Sequence, residues 1–532
     1  QHVRRLIVRV VWPIHSSSPA HTWRCMSRPL STDPLWTRGS RPVRTIRRHE
    51  KVPAISPAPF AANMIPVAMT RQSRTTTTLE TLRRALREAS VTMLAALATL
   101  ACALAIAPGP GPAVLSVVLC LSLSRSQLDR DLRGRIEAAI ALPVVGLVAV
   151  GVGTLLQRAP WLGALVFVGG MFISIWLRRF GAAARPAGSL IALPFVVLLA
   201  TPPIHVSAGS AIPTPLVPIL VGLLALLWVG VLHALARRWR FLPPANPPHR
   251  ARPTPIRDTS LRPMASTRMA IQMAVALAAS FIVGYVFFPQ RWAWIVLTAF
   301  IVLSGNRGRL DVAHKSLLRV LGAAAGTALA LTLTLHAGSH DASTVALILA
   351  AVFLGVWLRP LGYAWWALFA TVALALLQGF AGTSTAAILW PRLEEIAIGA
   401  IIGLASAWFV LPVRSTMVLR RRVADALAAL AVAMDPAAPS RSTEDFSAAI
   451  AAIEQLAPAF RASRLATRRF RAVQPADWAD VLLSCRAPAL ALIENGGASA
   501  NVRRAIGTAR KSLREPAELL STLHDLRRSL TS

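Results

Sequence analysis

"VLSGNRGRLDVAHKSLLRVLGAAAGTALA" covers residues 302–330, and how it is read decides the fold. An apolar run ends, a burst of Arg307, Arg309, Asp311, His314 and Lys315 follows, and the apolar run resumes behind Arg319. A nucleotide-phosphate loop is excluded, because "GNRGR" lacks the Gly-Lys-Ser/Thr ending that cradles a nucleotide. The stretch reads as a short polar connection between two membrane-spanning helices.

Composition agrees with that reading. The chain has 532 residues, is 55% hydrophobic and still carries a formal charge of +34. Those figures together suit a membrane protein whose charge sits in loops and tails. Residues 91–412 hold only eight acids: Asp129, Asp131, Glu137, Asp258, Asp311, Asp341, Glu394 and Glu395. The basic residues are nearly all Arg and stand where membrane topology places them, which argues against a nucleic-acid partner. Cys25, Cys102, Cys120 and Cys485 show no paired spacing, so the sequence points to no disulfide framework and no metal site.

A bilayer core of about 30 Å needs about 20 mainly apolar helical residues. Twelve spans are expected near 89–107, 111–124, 137–156, 161–177, 188–203, 213–236, 270–288, 291–304, 318–336, 344–358, 361–380 and 391–411. With the N-terminus inside, the connections on the cytoplasmic side gather Arg125, Arg133, Arg178, Arg179, Arg307, Arg309, Lys315 and Arg359. The opposite side holds only Arg158, Arg291 and Arg392. This asymmetry is the positive-inside pattern and predicts cytoplasmic termini.

Two halves resemble each other. "FISIWLRRFG" (172–181) and "FLGVWLRPLG" (353–362) share F-x-x-x-W-L-R-x-x-G, and Asp129 and Asp311 stand in matching loops. Six spans per half is an even number, so the expected architecture is two parallel six-helix repeats, at 75–236 and 269–412. Between them, residues 237–268 are rich in Pro and Arg and read as a cytoplasmic linker. Residues 1–74 are basic, rich in Pro and Ser, and expected to be disordered, with Met64 or Met69 as an expected translation start. Residues 413–532 alternate charge with helical apolar spacing at Phe446, Ile450, Ile453, Leu456 and Phe460. They predict a cytoplasmic helical domain, with a helix start at Ser442-x-x-Asp445 and a break at "ENGG" (494–497). The expected fold class is therefore all-α: a polytopic membrane protein of about twelve helices plus a C-terminal helical domain.

Candidate transport residues follow from chemistry. Asp311, Lys315 and Arg319 stack at i, i+4 and i+8 on one helix face. Arg319 leads into Gly322-x-x-x-Gly326, a face that lets another helix approach closely; Gly399-x-x-x-Gly403 repeats the pattern. Arg392, Glu394 and Glu395 open the last span, where a carboxylate can exchange protons and where a helix start also favours acids. Trp292, Trp294, Trp365 and Trp366 suit an interfacial belt, and equally suit stacking on an aromatic substrate. Gln378, His336 and His314 are weaker candidates.

Trp294 with "VLTAFIVLS", the basic loop with Asp311, and Arg319-x-x-Gly322-x-x-x-Gly326-Thr327 together resemble the fusaric acid resistance (FUSC-like) aromatic acid exporter family. "YAWWALFATVALALL", with Tyr363 and Thr371, is similar to that family's following spans. The resemblance is clearest over 270–411 and weaker over 89–236. It implies a bacterial inner-membrane protein associated with efflux of aromatic carboxylic acids, related to plant proteins that conduct organic anions. The first half departs from the pattern: "RDLRGRIEAAIALPVVG" has no GxxxG after its Arg and carries Pro143.

Three functions are weighed. A proton-driven exporter of aromatic or amphipathic organic acids comes first, then a passive organic-anion channel, then a membrane scaffold acting through residues 413–532. No nucleotide-binding signature and no catalytic or cofactor-binding constellation occurs in the spans, so an enzyme is disfavoured. The expected partners are the lipid bilayer and a small organic anion. A periplasmic adaptor protein and a homo-oligomer are both compatible with the sequence, which specifies neither.

Overall fold

A computed structural model describes residues 67–127, 132–180, 188, 191–192, 195, 198–199, 213, 216–243, 264–336, 342–380, 385–435, 443–469, 474–495 and 499–531. All regular structure among them is helical. Eleven helices occupy the apolar region. They are α1 (Val67–Ile106), α2 (Pro110–Gln127), α3 (Leu132–Arg158), α4 (Pro160–Trp176), α5 (Val217–Arg238), α6 (Ala265–Phe287), α7 (Trp292–Leu303), α8 (Arg309–His336), α9 (Ala342–Trp357), α10 (Tyr363–Phe380) and α11 (Thr385–Phe409).

These helices overlie eleven of the twelve expected spans; the segment expected at 188–203 lies mostly outside the described residues. Among the described residues, five helical stretches are long and apolar enough to cross a membrane: Leu79–Ile106, Pro160–Phe180, Val217–Arg238, Ala265–Phe287 and Arg309–Thr334. Others are shorter. The 12 residues of α7 reach only about 18 Å at 1.5 Å per residue, short of a 30 Å bilayer core. That helix stops early because the chain turns at Gly305 (φ +63°) and Gly308 (φ +128°), conformations open chiefly to glycine. α1 begins at Val67, and no proline follows Pro66 to stop the turns of "TLETLRRALREA" from extending backwards. Residues 1–66 and most of the 237–268 linker lie outside the described residues.

Packing follows small residues. An apolar cluster built on Ala95, Ala96, Leu119, Leu123, Val221 and Ala225 joins α1, α2 and α5. A second, centred on Phe167, Met273, Phe281, Val296 and Ala400, joins α4, α6, α7 and α11. α3 packs on α5 as α8 packs on α11. The two sets of helices touch through α4 against α6 and through α9 against α1.

Seven further helices form a bundle after Pro412. They are α12 (Ser415–Ala433), α13 (Thr443–Glu454), α14 (Ala457–Thr467), α15 (Pro475–Ser484), α16 (Arg486–Glu494), α17 (Ala500–Lys511) and α18 (Leu519–Thr531). Their core holds Leu419, Leu427, Phe446, Ile450, Leu482 and Leu523. Arg464 contacts Asp477 at 2.7 Å and Asp480 at 3.0 Å, tying α14 to α15. The bundle meets the start of α8: Leu310 N donates to Ser415 Oγ at 3.0 Å, and Arg309 N to Val413 O at 3.3 Å.

Candidate functional site

Four charged side chains are almost fully buried among the described residues: Asp311, Arg319, Arg392 and Glu395. They divide into two groups with different surroundings.

Asp311 stands in the first turn of α8 and faces the α7–α8 loop. Its Oδ2 lies 2.9 Å from Lys315 Nζ and accepts from Arg307 N at 3.2 Å. Lys315 Nζ also donates to Ser304 O at 3.3 Å and Gly305 O at 3.4 Å, the carbonyls left open at the end of α7. Nearby, Asn306 donates to Gln272 at 3.2 Å and accepts from Gly308 N at 2.6 Å, while Gln272 donates to Val410 O at 2.8 Å. Both charges at 311 and 315 are thus spent on shaping the loop and joining it to α6 and α11.

Arg319 and Arg392 occupy a different place, the seam where α7, α8, α10 and α11 meet. Residues 312, 316, 319, 323, 326 and 330 form the buried face of α8, spaced by three and four. On α11 the buried face runs through 392, 395, 396, 399, 400 and 403. Glycines bring the helices together. A Cβ on Gly322 would stand 2.7 Å from Ala367 Cβ on α10, and Gly326 lies against the Leu368 carbonyl. A Cβ on Gly399 would stand 2.8 Å from Thr298 Cβ on α7, and Gly403 faces Val302. Pro391 interrupts the backbone ladder of α11 one residue before Arg392.

The Arg392 guanidinium is held on two sides. Its Nη1 donates to Gln378 Oε1 at 2.6 Å, and its carbon sits 3.9 Å from the centroid of the Trp294 ring. This is a close cation–π contact in an apolar setting. Its Nη2 has no partner among the described residues, nor has Arg319 Nε. The two arginines stand near enough for their charges to interact, as do Arg319 and the Tyr363 hydroxyl, which is also unpartnered. Thr298 Oγ1 and Thr327 Oγ1 complete a set of buried polar atoms without partners.

Glu395, one turn beyond Arg392, is the acid that faces inward; Glu394 is exposed. Consecutive helix positions point about 100° apart, so one of the pair at most shares the Arg392 face. Glu395 Oε1 lies 3.3 Å from Arg291 Nε, in ion-pair contact but without a hydrogen bond. Trp292 packs on Phe281 and Tyr285 with ring centroids 5.3 Å away, and Trp365 stacks on Phe369. His314 is half-buried beside the loop, and the His336 side chain lies outside the described residues. In the sequence Gln378 is only a polar residue near the end of its span, and Tyr363 and Arg291 are only elements of a pattern. Nothing in their spacing announces that they meet Arg392, Arg319 and Glu395.

A helical membrane protein with a charged seam between apolar helices is the class that these features define. Within it, residues 275–406 match the family model described as fusaric acid resistance protein-like. The match runs from α6 to α11 and takes in the whole seam, as the resemblance read from Trp294, Arg319 and the glycines implied. It supports a membrane transporter or exporter. No curated protein and no solved structure matches the chain.

Proposed function

We propose that the protein exports aromatic or amphipathic organic acids, as carboxylate anions, across the bacterial inner membrane, with Arg319 and Arg392 as the anion-binding pair. In this reading the helices form two parallel six-helix repeats, both termini and the 413–532 bundle are cytoplasmic, and the proton gradient supplies the energy. The electrical part of that gradient alone favours exit of a monovalent anion by about 2.3 kcal/mol per 100 mV.

One observation carries the proposal. The seam buries two positive charges, Arg319 and Arg392, against one negative charge, Glu395, and leaves guanidinium N–H groups without acceptors. A buried arginine costs about 2.5–3.5 kcal/mol on insertion scales, and a buried unpaired donor about 1–3 kcal/mol more. A carboxylate between the two arginines supplies the missing acceptors and carries negative charge to them. Trp294, already covered by Arg392, serves to hold that cation in place.

The test is efflux of labelled benzoate from cells. Cells with the protein should hold several-fold less benzoate than cells without it, and Arg319→Ala or Arg392→Ala should abolish the difference. Equal benzoate levels with and without the intact protein would sink the proposal. The same arginines suit a passive anion channel; currents across a planar bilayer that persist without a proton gradient would favour that reading. The contact of the bundle with the start of α8 supports a role for residues 413–532 in controlling the helix that carries Arg319. A scaffold acting through the bundle alone predicts that deleting 413–532 removes all activity.

A further inference from the structure

Glu395 is a buried acid that anion binding by itself does not require. Its side chain is 2% exposed, yet it neighbours Arg291, whose side chain is 44% exposed, so one edge of the seam meets a water-accessible cation. The charged and titratable groups around Glu395 can be named. Arg392 and Glu394 stand on its own helix, Arg291 precedes α7, and α7 itself carries none. Arg319 comes from α8, whose other titratable groups are Arg309, Asp311, His314 and Lys315 at its start and His336 at its end. Tyr363 comes from α10. Tyr285 comes from α6 and donates to Pro160 O at 3.1 Å; the only charged residue on α6, Arg268, binds the Leu411 carbonyl at the opposite end.

Residues three apart on a helix have Cβ atoms about 5–6 Å apart. A carboxylate bound to Arg392 therefore comes within about a helical turn of the Glu395 carboxylate, in a setting where like charges repel strongly. Resting on the anion-site reading, we propose that anion binding and protonation of Glu395 are positively linked: the occupied seam carries a proton on Glu395, and the anion leaves as that proton is lost. The proton comes from hydronium in the water on the Arg291 side, leaving water behind, and returns to that side. One O–H bond on the carboxylate thus forms and then breaks, no proton crosses the membrane, and export draws on the electrical part of the gradient; no bond of the anion is made or broken. Arg291 is the positioning residue whose charge favours the ionised Glu395 carboxylate when the seam is empty. Linkage of this sign differs from proton-for-anion exchange, where the two ligands compete.

Reciprocity fixes the measurement: if the anion favours the protonated acid, acid favours the anion by the same factor. Benzoate is titrated calorimetrically into the purified full-length protein between about pH 6 and pH 8, a range in which benzoate stays ionised. Affinity should rise as pH falls, by up to about tenfold per pH unit for one linked proton. Glu395→Gln should bind as tightly as the unaltered protein at its acid limit, with no pH dependence, and Glu394→Gln should keep the dependence. Arg291→Gln should move the pH dependence to higher pH, a readout that a merely structural contact would leave unmoved. A flat profile, affinity that falls with acid, or an unchanged slope in Glu395→Gln overturns the linkage while leaving the anion site standing. Absence of benzoate binding at every pH overturns both.

Discussion

Helices α1–α5 and α6–α11 share several contacts but have different interiors. α1 touches α2 and α5, α2 touches α5, and α3 touches α5; likewise α6 touches α7 and α11, α7 touches α11, and α8 touches α11. The contacts between the sets are reciprocal, α4 on α6 and α9 on α1. Yet the first set buries hydroxyls rather than carboxylates or guanidinium groups among the described residues, and two of them are satisfied within their own helix, Thr99 with Ala95 O at 2.8 Å and Thr92 with Glu88 O at 2.8 Å. Its second counterpart buries Arg319, Arg392 and Glu395. Helix packing in a membrane depends on small residues and close fit, so it survives a change of polar content. Ligand binding depends on charge and does not. The comparison teaches that the contact pattern and the buried charge are separable: among the described residues the nearly fully buried Asp, Glu and Arg side chains all lie in the second set.

Glycine substitution should break the comparison most strongly. Gly326→Leu drives a side chain into the α10 backbone, whereas Gly151→Leu on α3 enters open space. Overpacking of this kind costs typically 1–3 kcal/mol or more, so Gly326→Leu should lower the melting temperature in detergent markedly and Gly151→Leu hardly at all. A moderate effect is expected at Gln378. Replacing it with Leu removes the 2.6 Å acceptor from Arg392, a hydrogen bond to a charged group worth about 1.5–3 kcal/mol. Benzoate binding should change by about tenfold or more with the fold intact by circular dichroism. The smallest effect belongs to Thr99→Val in the first set. It loses one intrahelical bond and the Thr99 contact to Cys120 Sγ, so benzoate affinity should stay within twofold, with stability changed by roughly 1 kcal/mol. If Thr99→Val weakens benzoate binding as much as Gln378→Leu does, the separation of scaffold from site fails.

Much of this was legible beforehand. Apolar runs located eleven helices, because the membrane demands long helical stretches of apolar residues. Gly322, Gly326, Gly399 and Gly403 were recognisable as places of close approach from four-residue spacing alone. The helix that opens at Thr443 and the end of α16 at Glu494 were marked by capping residues and glycines. What could not be read was partnership. Asp311 and Lys315 looked like site residues because they share a face with Arg319, but they turn to the loop that precedes them. Glu394 and Glu395 were indistinguishable until the rotation of α11 was known. Arg319 and Arg392 stand on helices separated by two others in the chain, and no spacing rule joins them.

By itself, then, the order of amino acids determined that the chain is a string of apolar helices with a polar bundle behind it, since hydropathy and helical period are properties of neighbours along the chain. Only the tertiary structure decided which cations lose their counter-charges, because that depends on how α7, α8, α10 and α11 are turned toward one another. A buried charge is defined by what surrounds it in space, and that information is held in no single helix.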